Sequence, residues 1–367
     1  MELRESVEAL WRIEAPQLIA TLARRIGDLD IAEDLASEAF VAALEQWPAE
    51  ALTPIPDDLL TMVFTTCHPV LSPESRVALT LRLFGGLTTE EIARAFLCPS
   101  ATIGQRISRA KRTLAEARVP IEAPSAGELP ERLRAVLEVL YLIFNEGYSA
   151  SSGESVVRAD LATEAMRMGR VLAGLLPAEP EVFGLAALME LQASRFRTRV
   201  DDNGIPVQLE HQDRRRWDRT LIEHGLGMLD RAFDLGRPLG PYSLQAAISA
   251  CHARAAAFGD TDWVAILALY DALAQLTASP VVEMNRAVAL LHVDGPEAAL
   301  AATEPLLADR RMARYHLLGA VRGDLLTRLG RHHDAAAELE RAAELAPTRQ
   351  ERQLLLDRMA AALAAAG

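Results

Sequence analysis

Apolar side chains recur every three or four positions along most of this 367-residue chain. That spacing places them on one face of an α-helix. Near the N-terminus, for example, Leu18, Leu22 and Ile26 follow the helical period. Ala and Leu abound, aromatic residues make up only 5%, and the alternating Val/Ile runs that would predict strands are almost absent. The pattern therefore predicts an all-α protein.

Prolines and glycines interrupt this helical pattern at a few places. Prolines cluster between residues 48 and 58 and again from 120 to 130, and they predict two linkers. A short hairpin is expected only at 200–213, where Asn203-Gly204 is a strong turn signal. The predicted organisation is a helical segment at 1–50, a linker at 51–58, a helical unit at 59–119, a linker at 120–130, a helical extension at 131–275 and a repeat region at 276–367.

The region 276–367 contains a repeated arrangement of small residues. Gly323, Ala335, Ala342 and Pro347 are separated by 12, 7 and 5 residues, which is the spacing of a tetratricopeptide (TPR) unit. Small residues allow the two antiparallel helices of such a unit to approach closely, and the proline ends the second helix. The upstream stretch MNRAVALLHVDGPEAALAATEPLLA has a similar outline one period earlier. TPR-like repeats are therefore expected here.

The stretch LTTEEIARAFLCPSATIGQRISRAKRTL, residues 87–114, predicts two helices joined by a short turn. Thr88 and Glu91 have the spacing of a capping box at the first helix start, and Ser100 can cap the second helix. At about 100° per residue, the second helix has a buried stripe formed by Ile103, Ile107, Ala110 and Leu114. The opposite side carries Thr102, Gln105, Arg106, Arg109 and Arg112. This is the helix-turn-helix arrangement, in which the second helix enters the major groove of DNA.

Positive charge is concentrated around this second helix. The whole chain has a net charge of −13, yet residues 76–118 contain eight Lys/Arg and three Glu, a net of +5. Such segregation is an electrostatic footprint of nucleic-acid binding, although a solvated face of an ordinary helical hairpin is the other interpretation. If five cations neutralise phosphates, the logarithm of affinity should fall against that of salt with a slope of about −4.5.

The order of these motifs resembles that of RNA polymerase sigma factors. The stretch IAEDLASEAFVAALEQWP resembles part of region 2, which docks on core polymerase, and LSPESRVALTLRLFGGLTTEEIARAFLCPSATIGQRISRAKRTL resembles region 4, which reads the −35 promoter element. The segments YLIFNEGYSA and EPEVFGLAALMELQASR and the TPR-like tail resemble a group of extracytoplasmic-function (ECF) sigma factors with a long C-terminal extension. The expected fold is thus all-α, with truncated region 2 helices, a helix-turn-helix region 4 and a helical TPR-like extension.

This resemblance implies two sets of site residues and two partners, core RNA polymerase and promoter DNA. Residues implied to face the −35 element are Ser100, Thr102, Gln105, Arg106, Arg109 and Arg112. Residues implied to lie on or near the polymerase-docking helix are Asp34, Glu38, Phe40 and Leu44. For Phe40 and Leu44, a place in the protein core is the alternative, because apolar residues at helical spacing are often buried.

One departure from the sigma pattern lies between Trp47 and Ile55. In the family, some fifty or more residues separate these two motifs and include the basic, aromatic-bearing helix that captures and melts the −10 element. Here only a few residues stand between them, with neither a basic helix nor an aromatic cluster. Capture of a single strand relies on aromatic stacking and a cationic track, so promoter melting is not expected of this chain.

The remaining features favour a binding protein over an enzyme. The three cysteines are far apart and form no CxxC pair, so neither a disulfide framework nor a metal site is expected. No nucleophile elbow, phosphate-binding glycine loop or HExxH motif is present, and no cofactor is expected. Neither a signal peptide nor a membrane span is recognised, which predicts a cytoplasmic protein. In NEGY, Gly147 is predicted to end a helix; the alternative interpretation of this segment is a contact between region 4 and the extension.

The leading hypothesis is an ECF-type sigma factor in which region 4 reads the −35 element, the N-terminal helices recruit polymerase, and the extension regulates activity and makes contact with a regulatory protein. A first alternative is a helix-turn-helix DNA-binding regulator with a TPR module that is not a sigma subunit. A second alternative is a TPR scaffold whose basic helix binds an acidic protein surface.

Overall fold

The structure, a computed structural model, describes residues 15–46, 56–96, 98–125, 127–149, 156–201, 207–346 and 348–366. Seventeen α-helices and no strand occur among these residues. The all-α prediction is confirmed. The described residues up to Pro177 form one compact unit, and those from Ala178 onward form a second.

The first unit contains eight helices. They are α1 (15–26), α2 (Leu29–Gln46), α3 (Pro56–Thr66), α4 (Pro73–Leu83), α5 (Thr89–Ala95), α6 (Ser100–Glu116), α7 (Leu129–Ser149) and α8 (Val156–Leu175). Helix α6 packs on α4 and α5, while α7 and α8 pack on each other and against α3, α4 and α5. The core they enclose includes Phe64, Leu79, Phe84, Ile103 and Leu140, all at most 1% exposed.

Helices α7 and α8 are fastened to the other helices of this unit by arginine side chains. The Arg132 guanidinium donates a hydrogen bond to the carbonyl oxygen of Phe64 at 2.7 Å, and that of Arg167 donates to the carbonyl oxygen of Phe84 at 3.1 Å. Both acceptors lie at helix C-termini, where carbonyl groups lack helical partners. The first unit therefore includes the start of the stretch that the sequence suggested as a separate extension from residue 131.

The second unit is a succession of paired helices. They are α9 (Pro180–Ala193), α10 (Arg219–Asp234), α11 (Pro241–Arg254), α12 (Trp263–Leu276), α13 (Pro280–Asp294), α14 (Pro296–Thr303), α15 (His316–Arg328), α16 (His332–Leu345) and α17 (Arg349–Ala366). Most neighbours in sequence also pack against each other, as in α11–α12–α13–α14 and α15–α16–α17.

Small residues bring α15 and α16 close together. A Cβ atom on Gly323 would lie 2.6 Å from Cγ of Leu339, and Ala335 and Ala342 are at most 1% exposed. The left-handed Gly330 (φ +71°) turns the chain between the two helices. The close approach expected from the small-residue spacing is therefore present, although Pro347 lies outside the described residues.

Two local expectations have different outcomes. Helix α7 continues through Gly147, which is buried inside it, so the prediction that Gly147 ends a helix is wrong. The turn Asn203-Gly204 lies outside the described residues. Beside it, the amide of Val207 donates to the Arg199 carbonyl oxygen at 2.7 Å, and the described chain then enters a 3-10 turn and not a strand.

Candidate nucleic-acid interface

Helices α5 and α6 form the helix-turn-helix that the sequence predicts. The Glu91 amide donates to Oγ1 of Thr88 at 3.1 Å, and the Thr88 amide donates to Oε2 of Glu91 at 2.8 Å. This reciprocal pair is a capping box, and the prediction is confirmed. Ser100, by contrast, is the first residue of α6 and does not cap it. The cap position belongs to Pro99, whose extended backbone (φ −60°, ψ 140°) lets its carbonyl oxygen accept from the Thr102 amide.

Helix α6 buries the predicted stripe and leaves the opposite side accessible. Ile103, Ile107, Ala110 and Leu114 are all buried. The structure brings the six predicted DNA-facing residues together on this one helix. Four are exposed (Ser100, Gln105, Arg109 and Arg112) and two are half-buried (Thr102 and Arg106). The arrangement is an amphipathic helix whose free side carries cations and amide or hydroxyl groups, which are the groups that contact phosphates and base edges.

The cations of residues 76–118 are not all available to a ligand. Arg76 lies 3.7 Å from a carboxylate oxygen of Glu138, and both Arg82 and Lys111 are paired with carboxylates of α2. Four arginines of this segment have no ion pair with a described residue: Arg106, Arg109, Arg112 and Arg118. Among the side chains of this segment that the structure describes, the unpaired cations therefore lie on α6 and just beyond its C-terminal end.

The pairing of Lys111 was not foreseen from the sequence. Its Nζ donates to Oδ1 of Asp30 at 2.6 Å and to Oε2 of Glu33 at 2.7 Å, and Arg82 Nε donates to Oε1 of Glu33 at 2.6 Å. Burial alone would raise the pKa of Glu33, but the charge of Arg82 and the hydrogen bond from Lys111 outweigh it and lower that pKa. Burial would likewise lower the pKa of Lys111, yet the bonds to Asp30 and Glu33 raise it.

Helix α2 carries the predicted polymerase-docking residues. Asp34 and Glu38 are exposed one turn apart, whereas the side chains of Phe40 and Leu44 lie outside the described part of the structure. Two further apolar side chains of α2, Ile31 and Leu35, are 49% and 41% exposed. Exposed apolar residues next to carboxylates on one helix form a surface suited to a protein partner.

The Cys67 thiol of the first unit is buried in the core. Cys67 is 1% exposed and lies 3.3 Å from the hydroxyl of Thr80. Burial raises the pKa of the Cys67 thiol to about 11, so it is protonated at neutral pH.

Among the described residues, no helix has both the length and the apolar character needed to cross a membrane.

Comparison with known proteins fits this geometry. The family model "Sigma-70, region 4" matches residues 61–114, which run from α3 to near the end of α6. A family of unknown function (DUF6596) matches residues 132–233, from α7 to α10. An all-helical fold that presents a region 4 helix-turn-helix with a cationic outer side defines a sigma-factor-like, DNA-binding protein.

An uncharacterized protein of Rhizobium meliloti (strain 1021) is 42% identical to this chain over 400 aligned residues, covering 94% of each chain. The chain belongs to the same family as that protein.

Proposed function

We propose that this protein is an ECF-type sigma factor, whose α6 reads the −35 promoter element and whose α2 recruits core RNA polymerase. The proposal rests on the outer side of α6, where Arg106, Arg109 and Arg112 have no ion pair with a described residue. This helix lies within the segment that matches sigma-70 region 4. Major-groove reading by the second helix and phosphate contacts by its arginines follow from this geometry. The protein acts in this proposal as a binding protein and not as an enzyme.

DNA binding is tested by the salt dependence of affinity for a duplex carrying the cognate −35 element. If Arg118 contacts the DNA backbone together with these three arginines, the slope in the plot of log affinity against log salt should be about −3.6, since each phosphate contact adds about 0.9. The double variant Arg109→Ala/Arg112→Ala should reduce the slope to about −1.8 and weaken binding at low salt.

Arg134→Ala is the matched control, because Arg134 is an exposed arginine of the same unit on α7. It should leave both affinity and slope unchanged. A double variant that retains the wild-type slope would refute phosphate contact by Arg109 and Arg112.

Polymerase recruitment is supported by the exposed apolar side chains of α2 beside Asp34 and Glu38. The variant Ile31→Ser/Leu35→Ser should lower the affinity for core polymerase at least about tenfold, because exposed apolar anchors dominate such contacts. Leu142→Ser is the control, since Leu142 on α7 is 41% exposed, like Leu35. Equal binding of polymerase by wild type and by the α2 variant would contradict docking through this surface.

The sequence has only a few residues between Trp47 and Ile55, where the sigma pattern expects the segment that captures the −10 element. We therefore propose recruitment and −35 recognition for this chain, without promoter melting.

The same gap favours a second candidate, a helix-turn-helix regulator that binds DNA and is not a sigma subunit. The two candidates differ in their partner, because only a sigma factor needs a stable complex with core polymerase. Co-purification of the full chain with core polymerase at physiological salt would support the sigma factor, and DNA binding without that complex would support the regulator.

For the second unit we propose TPR-like repeats that bind a regulatory protein. Support comes from the helical hairpins α13–α14 and α15–α16, each with a left-handed glycine at its turn, Gly295 (φ +90°) and Gly330 (φ +71°). Hairpins that pack on their neighbours create extended surfaces for protein partners. Regulation by this unit is tested with a chain that ends at Pro177, which should bind the −35 duplex with the same affinity whether or not the regulatory protein is present.

A further inference from the structure

The segment 306–318, named the arginine segment below, leads into α15 and is held from inside the second unit. Three of its side chains are at most 6% exposed and pack together on α13: Leu306, Met312 and Leu318. Between them the backbone forms two successive turns. The Met312 amide donates to the Asp309 carbonyl oxygen at 2.9 Å, and the Tyr315 amide donates to that of Met312 at 2.9 Å. The outer side of the segment is therefore a preformed surface, which lowers the entropic cost of binding a partner.

This outer side carries positive charge in an acidic protein. Its exposed cations are Arg310, Arg311 and Arg314. Asp309 is the one acidic residue of the segment, which has a net charge of +2, whereas the whole chain has −13. Arg311 binds that carboxylate, because its Nε donates to Oδ1 at 3.1 Å and its Nη2 donates to Oδ2 at 2.7 Å. Arg310 and Arg314 have no ion pair with any residue that the structure describes.

Exposed leucines border these arginines. Leu307 and Leu317, both within the segment, are 47% and 40% exposed. A third leucine, Leu276 at the end of α12, is 55% exposed. The end of α12 lies beside the segment, because Nη1 of Arg311 donates to the carbonyl oxygen of Ala278 at 2.8 Å. A single exposed leucine is ordinary, but apolar side chains around arginines are the composition of a protein interface.

We propose that the arginine segment and Leu276 form a docking surface for an acidic amphipathic segment of a partner protein. The partner's apolar side chains cover the three leucines, and its carboxylates bind Arg310 and Arg314. The pair of Arg311 with Asp309 already shows a carboxylate bound in this way, through two parallel hydrogen bonds. A nucleic-acid backbone would satisfy the arginines but has no apolar groups to cover the leucines, so a protein partner is favoured. This inference names the partner class for the regulatory-protein binding proposed above, and it rests on that proposal.

The test uses the full-length protein and a synthetic peptide labelled with fluorescein, whose binding is followed by fluorescence anisotropy. The peptide has about 18 residues, which is about five helical turns, with Leu on one face and Glu on the other. A second peptide has Gln in place of Glu, and a third has Ser in place of Leu. Each should bind at least about tenfold more weakly than the first, because each lacks one of the two features that the surface recognises.

Two variants of the protein separate the charged contacts from the apolar ones. Arg310→Gln/Arg314→Gln should weaken binding of the acidic peptide at least about tenfold and should make it less sensitive to salt, because the screened charges are gone. Leu307→Ser/Leu317→Ser should weaken binding by a similar factor and leave its salt sensitivity unchanged. Circular dichroism confirms that both variants are folded, as expected for substitutions of exposed side chains.

The second unit also supplies matched controls. Arg197→Gln/Arg216→Gln replaces two other exposed arginines that have no ion pair with a described residue. Val264→Ser replaces an apolar side chain of α12 that is 67% exposed. Both variants should bind the acidic peptide with wild-type affinity.

The outcomes separate this inference from the function on which it rests. Wild-type affinity in both variants of the arginine segment would overturn the inference but not the proposed function, since the second unit has other surfaces for a regulatory protein. The inference would also be overturned if wild type did not bind the acidic peptide at physiological salt, or if Arg310→Gln/Arg314→Gln lost affinity only for a random-sequence duplex. Binding that is lost only in Arg109→Ala/Arg112→Ala would place the peptide on α6 and count against protein binding by the second unit.

Discussion

A chain cut after residue 125 should lose the fold of its DNA-binding unit, whereas a chain cut after Pro177 should keep it. The shorter chain retains the whole match to sigma-70 region 4 at 61–114. It lacks α7 and α8, however, and these helices complete the first compact unit. The two chains therefore test whether the folded unit extends to Pro177, as in the structure, or ends near residue 114, where the family match ends.

The size of the effect follows from what α7 buries. Its side chains Val136, Val139, Leu140, Ile143 and Phe144 are all 0% exposed. Full burial of such a side chain contributes about 1.5–3 kcal/mol, so the five contribute about 7–15 kcal/mol. Part of this surface is buried between α7 and α8, which leave together, so the lower figure applies. Even about 7 kcal/mol is comparable with the whole stability of a typical domain, about 5–15 kcal/mol.

The loss of α7 and α8 also uncovers the helix ends that they cap. Without Arg132 and Arg167, the carbonyl oxygens of Phe64 and Phe84 lose charged donors, each worth about 1.5–3 kcal/mol. Both effects act in the same direction. The chain ending at 125 should therefore be unfolded or molten at 25 °C, and its affinity for the duplex should fall accordingly.

The assay compares the two truncated chains with the full chain by thermal circular dichroism and by binding to the same duplex. The chain ending at Pro177 should unfold cooperatively and bind DNA with at least the affinity of the full chain. A cooperative transition and full DNA affinity in the chain ending at 125 would refute the reasoning, because they would show that α7 and α8 are dispensable. Tests of regulation should therefore use the chain that ends at Pro177, because of these two cuts only this one removes the second unit without disturbing region 4.

Local sequence patterns were sufficient to predict the helices of the DNA-binding unit. The apolar period identified the stripe from Ile103 to Leu114, and the spacing of Thr88 and Glu91 identified the capping box. Both signals act within a few residues, where backbone geometry alone decides which side chains meet. The error at Ser100 arose because Pro99, with its fixed φ, already takes the cap position and leaves Ser100 inside the helix.

Contacts between distant parts of the chain could not be predicted in the same way. Periodicity shows which face of a helix is buried but not which helix covers it, so it does not identify α7 and α8 as the helices that cover region 4. The sequence pattern also placed Lys111 outside both the buried stripe and the DNA-facing set. Its partners, Asp30 and Glu33, lie on α2, 81 and 78 positions earlier in the chain. Burial of an ion pair depends on tertiary packing, which a single sequence does not display.

Two further predictions concern packing and ionisation. Gly184→Ala should destabilise the second unit by about 1–3 kcal/mol, because the new Cβ would lie 2.6 Å from N of Ser243 and would also collide with its Oγ. Gly227→Ala is the control in thermal unfolding, since a Cβ added there meets nothing within 4 Å. The buried Cys67 thiol has its pKa raised from 9.0 to about 11, so above pH 9 the unfolded chain ionises while the folded chain does not. Stability of the first unit should then fall between pH 9 and 11, by about 2 kcal/mol, since each pKa unit corresponds to about 1.4 kcal/mol. In denaturant unfolding, the Cys67→Ala variant should lack this part of the pH dependence of stability. If the variant and the wild type showed the same pH dependence, the argument would be contradicted, because the thiol would then ionise equally in the folded and unfolded states.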